Sequence, residues 1–369
     1  MSRDNAFHDY VILTTGCRMV KRVDAETAAE LARRGIEVVF YVPEGILGRD
    51  AGSLKCIRAP AGRIRRVCGY FSLLRELQPD HVELYIGRPR MLVPLYALLA
   101  KLARCPVVVW CRGSEIARWD EYRFYVRVLT RIVAALADYL LLKEPFMYDK
   151  IVAERIAIPS KLQWMPNKIP IRSEYTLHRD SPVVLFLNSP RPMRHVELIA
   201  EAIPSVLAEV PAARFEFVGV RNRAEHAYVW SVIERVGVGD SVGVHYYQED
   251  VNCFLEQAAL FVLPAERVYL NHSLLEAMER GIPPIVADVD PSVGEVVEHG
   301  VDGLVLPLDA GTWGRAIAQL LVDESRRREM GANAREKVVR CFNLASKIDD
   351  LVDFYHEEVT KSRRKRDGD

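Results

Sequence analysis

The 369-residue chain lacks several things, and each absence narrows the reading. It has no net charge, with 50 Lys and Arg against 50 Asp and Glu, so charge gives no argument for a nucleic-acid partner. Its seven cysteines, at 17, 56, 68, 105, 111, 253 and 341, form no CxxC pair. An odd, scattered set fits a reducing compartment better than a disulfide framework. The first ten residues, MSRDNAFHDY, lack the apolar core of a signal peptide. No apolar run approaches the roughly 18 residues that a bilayer span needs. The expectation is a cytoplasmic protein. The nine histidines show neither HxH nor HExxH spacing. DVD at 288–290 is the nearest approach to a DxD and reads as loop, so no metal and no cofactor is expected.

Strand-like and helix-like segments alternate through both halves. DYVILTT, IEVVFYV, HVELYIG, PVVVWC and DYLLLK read as short apolar strands. Between them DAETAAELARRG, RVCGYFSLLRELQP, MLVPLYALLAKLARC and EYRFYVRVLTRIVAALA read as helices, with Asp24 as the cap of the first. Residues 171–182 are polar and break the pattern. It then restarts at VVLFLN and runs to SVGEVVEHG. Domains of about 100–200 residues make two the natural count for this length. The expected fold is α/β: two Rossmann-like doubly wound domains facing a cleft, at 1–170 and 183–345. A C-terminal helix and basic tail, 346–369, is expected to pack back on the first domain.

One acid stands out. Glu276 falls among leucines and an alanine in SLLEAM, in what reads as the first turn of a helix following the strand ALFVLP. A helix N-terminus there presents backbone N–H groups and the positive end of a dipole, suited to a diphosphate. An acid beside it suits sugar hydroxyls, although a dipole-compensating residue would look the same locally.

The segment SLLEAMERGIPPIVADVDPSVGEVVEHGVDGLVL resembles the most characteristic stretch of the retaining GT-B glycosyltransferases, the large family numbered four. Glu276-Ala277-Met278, Gly281, Pro283, Gly294-Glu295 and the Gly300-Val301-Asp302-Gly303 turn carry the resemblance. LLVDESRRREMGANAREKV, WMPNKIP and ELARRGIEVVFYVP resemble neighbouring family segments, so the likeness covers nearly the whole chain. The resemblance implies that Glu276 binds the donor ribose and that the N–H groups of Asn271, His272, Ser273 and Leu274 hold the diphosphate.

The chain departs from the family at several positions. The family's Glu eight residues before Glu276 is Val268 here, and the nearest upstream acid is Glu266. Asn188-Ser189 replaces a Gly-Arg pair, and Arg194 replaces the Lys of the following Lys-Gly. Arg194, with Arg191 as a stand-in for the missing Arg, would clamp the diphosphate, unless both are exposed loop arginines. In VVVWCRGSEI the family histidine that approaches the donor sugar is Arg112, which could meet phosphate or an acidic acceptor, or simply pair with Glu115. After the first strand, Gly16 matches a turn whose backbone reaches the diphosphate, with Cys17 where a second glycine belongs; a buried structural thiol is the plainer role for Cys17.

The resemblance implies an enzyme that moves a hexose-type sugar from a UDP-sugar or GDP-sugar to an acceptor hydroxyl, with retention and without metal. The acceptor would be a glycan, a lipid-linked sugar or a small molecule. The alternative is a GT-B protein that binds a nucleotide sugar or glycan without turnover. An epimerase would need acids and histidines around the sugar that the sequence does not supply. GRIRRVCGYFSLLREL reads as a core helix behind a basic loop, or else as a peripheral contact with an anionic inner membrane face.

Overall fold

The computed structural model describes residues 10–17, 20–45, 54–86, 91–111, 116, 118–144, 146–172, 181–266, 270–289 and 293–361. Arg112, Val268, Asp290 and the tail beyond Lys361 lie outside them. The chain divides into two compact units, one running to Pro166 and resuming at Leu344, the other spanning Asn167 to Asn343.

The first unit contains β1 Tyr10–Thr15, α1 Arg22–Ala32, β2 Ile36–Val42, β3 Lys55–Arg58, α2 Arg63–Leu77, β4 His81–Ile86, α3 Leu92–Leu102, β5 Val107–Cys111, α4 Phe124–Leu136, β6 Tyr139–Leu142, α5 Phe146–Ala153 and β7 Leu162–Trp164. The strands form one parallel sheet in the order β3-β2-β1-β4-β5-β6-β7. Strands buried on both faces read as continuous apolar runs, which is why the inner five are plain in the sequence. The outer two, β3 and β7, were not expected. Each is short and at an edge, and β3 is mostly exposed.

Alternate strand residues feed two layers. Leu13, Val82, Leu84 and Val109 pack with helices α2 to α5, while Ile12, Phe40, Val108 and Leu141 pack with α1 and the C-terminal helix. Helix α1 begins at Arg22 with Lys21 at its N-cap. Asp24, the expected cap, is the third helical residue and its carboxylate accepts the Lys21 N–H at 3.4 Å. The arginines ahead of α2 are not in a loop: Arg63, Arg65 and Arg66 lie in its first turn, around Ile64, which is 80% exposed.

The second unit contains β8 Val183–Leu187, α6 Val196–Glu209, β9 Arg214–Val220, α7 Arg223–Val236, β10 Val242–Tyr246, α8 Asn252–Gln257, β11 Ala258–Leu263, α9 His272–Glu279, β12 Pro284–Ala287, α10 Val293–Val296, β13 Leu304–Leu306, α11 Ala310–Val322 and α12 Glu324–Cys341. Its six parallel strands run β10-β9-β8-β11-β12-β13. Phe186, Phe217, Leu260 and Ile285 face α6, α7 and α11; Leu185, Val218, Phe261 and Val286 face α8, α9 and α12. The expected helix SVGEVVEHG is a single turn, α10. Residues 167–172 belong to this unit because hydrogen bonds tie them there. Asn167 Nδ2 donates to the Leu270 carbonyl, the Ile169 N–H to Phe342 O at 3.0 Å, and the Arg172 N–H to Glu279 Oε1 at 3.0 Å.

Helix α13, Leu344–Phe354, continues into a π-turn at Tyr355–Val359 and packs on the first unit. The fully buried Tyr355 hydroxyl donates to Glu83 Oε1 at 2.5 Å, and Arg34 Nε to Asp349 at 2.8 Å.

Candidate functional site

The strand order of the second unit reverses between β8 and β11, the position at which open parallel sheets bind their ligands. The loops that follow these two strands carry the residues singled out in the sequence.

The first loop leaves β8 at Asn188, whose N–H donates to Val218 O at 2.9 Å. Gly219 on β9 has φ +120, and a Cβ there would stand 2.8 Å from the Asn188 carbonyl carbon and oxygen. The close approach fixes where the loop begins. Asn188 Nδ2 is buried without a hydrogen-bond partner among the described residues. Ser189, at the family's arginine position, is buried, and its Oγ donates at 3.4 Å to the Glu225 carboxylate, which also accepts the Arg221 N–H at 2.9 Å. That position is therefore given to tying the loop to α7. Arg191 is exposed and Arg194 half-buried, separated by a single 3₁₀ turn, Pro192–Arg194. His195 follows in the left-handed region, φ 40 and ψ 54, and opens α6.

The second loop leaves β11 and turns back to the first. The Glu266 N–H donates to Met193 O at 3.0 Å, and Glu266 Oε1 lies 3.2 Å from His195 Nε2. The imidazole nitrogen is shielded from solvent, yet this approach is too poorly aligned to count as a hydrogen bond. Glu266 itself is exposed. The structure thus sets the main chain of Glu266 against the turn that carries Arg194, three residues after Arg191.

The chain then enters α9 through Asn271, the N-cap, whose Oδ1 accepts the Ser273 N–H at 2.9 Å. That bond removes Ser273 from the amides expected to meet a diphosphate. Glu276 is the fifth residue of α9, not part of its first turn, so compensating the dipole does not explain it. It is half-buried and one turn before Arg280. Arg280 is 3% exposed, with Nη2 donating to Asn252 Oδ1 at 2.5 Å and Nη1 3.8 Å from Glu256. Burial and Arg172 lower the pKa of Arg280, while Glu279, Glu256 and Glu276 oppose them.

Sequence reasoning missed Glu279, which is 2% exposed and accepts from Arg335 Nη1 at 2.9 Å and from the Arg172 N–H. Its only local signal is an acid in an apolar helix; the compensating cation lies 56 residues away. The Gly-x-Asp-Gly turn is structural. Asp302 accepts the Glu298 N–H at 2.7 Å and pairs with Lys337 at 2.9 Å, and a Cβ on Gly303 would meet Pro284 O at 2.7 Å.

In the first unit the order also reverses beside β1, where Gly16 has φ +93 and a Cβ would stand 2.8 Å from Tyr85 O. Its requirement for glycine comes from that packing. A cavity of about 40 Å³ lies here, lined among others by Gly16, Cys17, Tyr41, Arg66 and Tyr96. Tyr41 donates to Arg66 O at 2.9 Å, and burial pushes its pKa up to about 12. Among the described residues no three His, Cys, Asp or Glu side chains gather as metal ligands, and no helix is long and apolar enough to cross a membrane.

Two abutting family models match the chain: a glycosyl transferase 4-like domain over residues 20–168 and glycosyl transferases group 1 over 167–337. The chain is 25% identical over 202 residues to N-acetyl-alpha-D-glucosaminyl L-malate synthase of Bacillus anthracis, covering 54% of this chain and 52% of that protein. It is 23% identical over 207 residues to D-inositol 3-phosphate glycosyltransferase of Thermobispora bispora, covering 53% and 48%. The matches thus span about half the length of these two curated relatives. Among solved structures, sucrose-phosphate synthase of Thermosynechococcus elongatus superposes with TM-score 0.77 at 16% identity, covering 95% of this chain and 98% of that one. Anabaena HepE in complex with UDP and glucose gives TM-score 0.77 at 14% identity, covering 95% and 100%. With both units matched by family models and the whole fold shared with these structures, the chain belongs to the GT-B glycosyltransferases of family four.

Proposed function

We propose that this protein transfers a sugar from a nucleoside diphosphate sugar, a UDP-sugar in the first instance, to an acceptor hydroxyl with retention of configuration. The observation that carries the reading is that two arginines follow β8, an acid and a capped helix N-terminus follow β11 across the strand-order reversal, and a main-chain hydrogen bond from Glu266 to Met193 ties the two loops. Such a set suits an activated carbohydrate. Guanidinium groups and helix amides meet a diphosphate, and carboxylates accept from sugar hydroxyls.

In this reading Arg194, with Arg191 at the exposed rim, holds the diphosphate and stabilises charge as it leaves. The amides of His272 and Leu274 share that task. The buried Asn188 amide offers a further donor at the end of β8. Glu276, set one turn into α9 and backed by Arg280, accepts from the ribose. Glu266 meets the transferred sugar. These charges do at the leaving group what a metal ion does elsewhere, so the reading asks for no metal. The family's retaining members can use the leaving phosphate as the base, and no side chain is assigned that role here. The first unit holds the acceptor, with Gly16 at its strand-order reversal. The relatives' names, a malate glycoside synthase and an inositol phosphate glycosyltransferase, support a hydroxyl acceptor, and the HepE complex supports UDP. Ile64 among Arg63, Arg65 and Arg66 supports peripheral contact with an anionic membrane face.

The test supplies UDP-sugars and GDP-sugars with a panel of hydroxyl acceptors and follows released nucleoside diphosphate. Acceptor-dependent release, with the donor's anomeric configuration retained in the product, supports the reading. Tight nucleotide binding with no release from any pair would instead leave a binding protein.

A further inference from the structure

His195 has a backbone it does not suit and a side chain that reaches across the site. Its φ of 40 and ψ of 54 place a β-substituted residue in the left-handed region. This is a strain that glycine would not incur. The backbone task there, opening α6 as its N-cap, uses no side-chain hydrogen bond. Glycine would serve the fold as well or better, so the imidazole has another use.

Its Nε2, shielded from solvent, lies 3.2 Å from Glu266 Oε1. The same turn also holds the Glu266 main chain, because Met193 O accepts its N–H at 3.0 Å. One short turn thus holds the Glu266 main chain by a hydrogen bond and sets the His195 imidazole beside its carboxylate. A contact to an exposed carboxylate adds little to stability, too little to account for the strained backbone.

We propose that His195 is a positioning residue that fixes the Glu266 carboxylate to receive a hydroxyl of the transferred sugar. The inference rests on the donor-site reading given above. It names Glu266, two residues before the position where the family has its acid, as that acid's replacement, and His195 as what makes the replacement workable.

The test compares wild type with His195→Gly, His195→Gln, Glu266→Gln and the double variant His195→Gly/Glu266→Gln. Melting temperature, UDP affinity by calorimetry, and kcat and KM with a UDP-sugar are measured on the full chain. His195→Gly is expected to match or exceed wild type in melting temperature while kcat falls about tenfold to a hundredfold, as misplacement of a reacting group does. KM for the donor changes little, since glycine keeps the left-handed backbone that follows Arg194 and leaves that guanidinium and Glu276 in place. His195→Gln keeps the strain and a polar reach, so it melts lower than His195→Gly yet turns over faster. The double variant is no slower than the slower single one. Wild-type turnover in His195→Gly, or independent losses that multiply in the double variant, overturns the inference while leaving the donor site standing. No UDP binding by wild type, or binding without turnover, overturns both readings.

Discussion

A Cβ on Gly219 would stand 2.8 Å from the carbonyl carbon and oxygen of Asn188, so β9 and the start of the β8 loop meet with no room for a side chain. Everything the β8 loop brings to the site, from Asn188 to His195, starts from that contact.

Gly219→Ala should therefore act on fold and site together. A left-handed φ and a collision with backbone cost about 2–4 kcal/mol in all. The loop must shift to relieve the collision, so UDP affinity should drop along with melting temperature. An alanine variant that melts and binds like wild type would show that the loop has another anchor.

Glu276 and Glu279 sit three residues apart in α9 and should fail in opposite ways. Glu276→Gln removes an acceptor of charge-assisted hydrogen bonds, worth about 1.5–3 kcal/mol. Nucleotide affinity should fall about tenfold to a hundredfold with little change in melting temperature. Unchanged affinity would remove Glu276 from the ribose site.

Glu279→Ala leaves Arg335 without its buried carboxylate and the Arg172 N–H without its acceptor. Breaking a buried pair of this kind costs about 3–5 kcal/mol. Chemical denaturation should show that loss. A variant as stable as wild type would mean that water replaces the carboxylate at no cost.

The contrast between these acids shows where sequence reading stops. The alternation of apolar runs gave both parallel sheets, because inner strands are buried on two faces and carry little else. β3, β7 and β13 escaped because edge strands are under no such demand. Glu276 was singled out by its surroundings and assigned to ribose through the family resemblance, but its place in the helix was set too early, since the cap is Asn271 and the helix starts at His272. Arg191, Arg194 and Glu266 could be named, but the tie between their loops could not. It depends on the Met193 carbonyl and on the topology that sets the β8 and β11 loops side by side. Glu279 was missed because burial of its carboxylate is decided by Arg335, on a different helix.

The π-turn at Tyr355–Val359 should respond to acid. Burial lowers the pKa of His356 from its ordinary 6.5, with Asp353 opposing. The folded state then binds fewer protons than the unfolded chain. The stability tied to neutral His356 is complete above the unfolded pKa and is lost as pH falls through 6.5 toward the folded value. His356→Gln should melt with a shallower pH dependence than wild type below neutrality. Parallel curves for the two proteins would exclude this contribution.

The central claim is that the β8/β11 reversal of the second unit is the donor site. A crystal of the full chain grown with UDP tests it most directly. The diphosphate is expected against Arg194 and the first turn of α9, with a ribose hydroxyl on Glu276. UDP bound away from Arg194, or a Glu276 carboxylate that makes no contact with ribose, would contradict it.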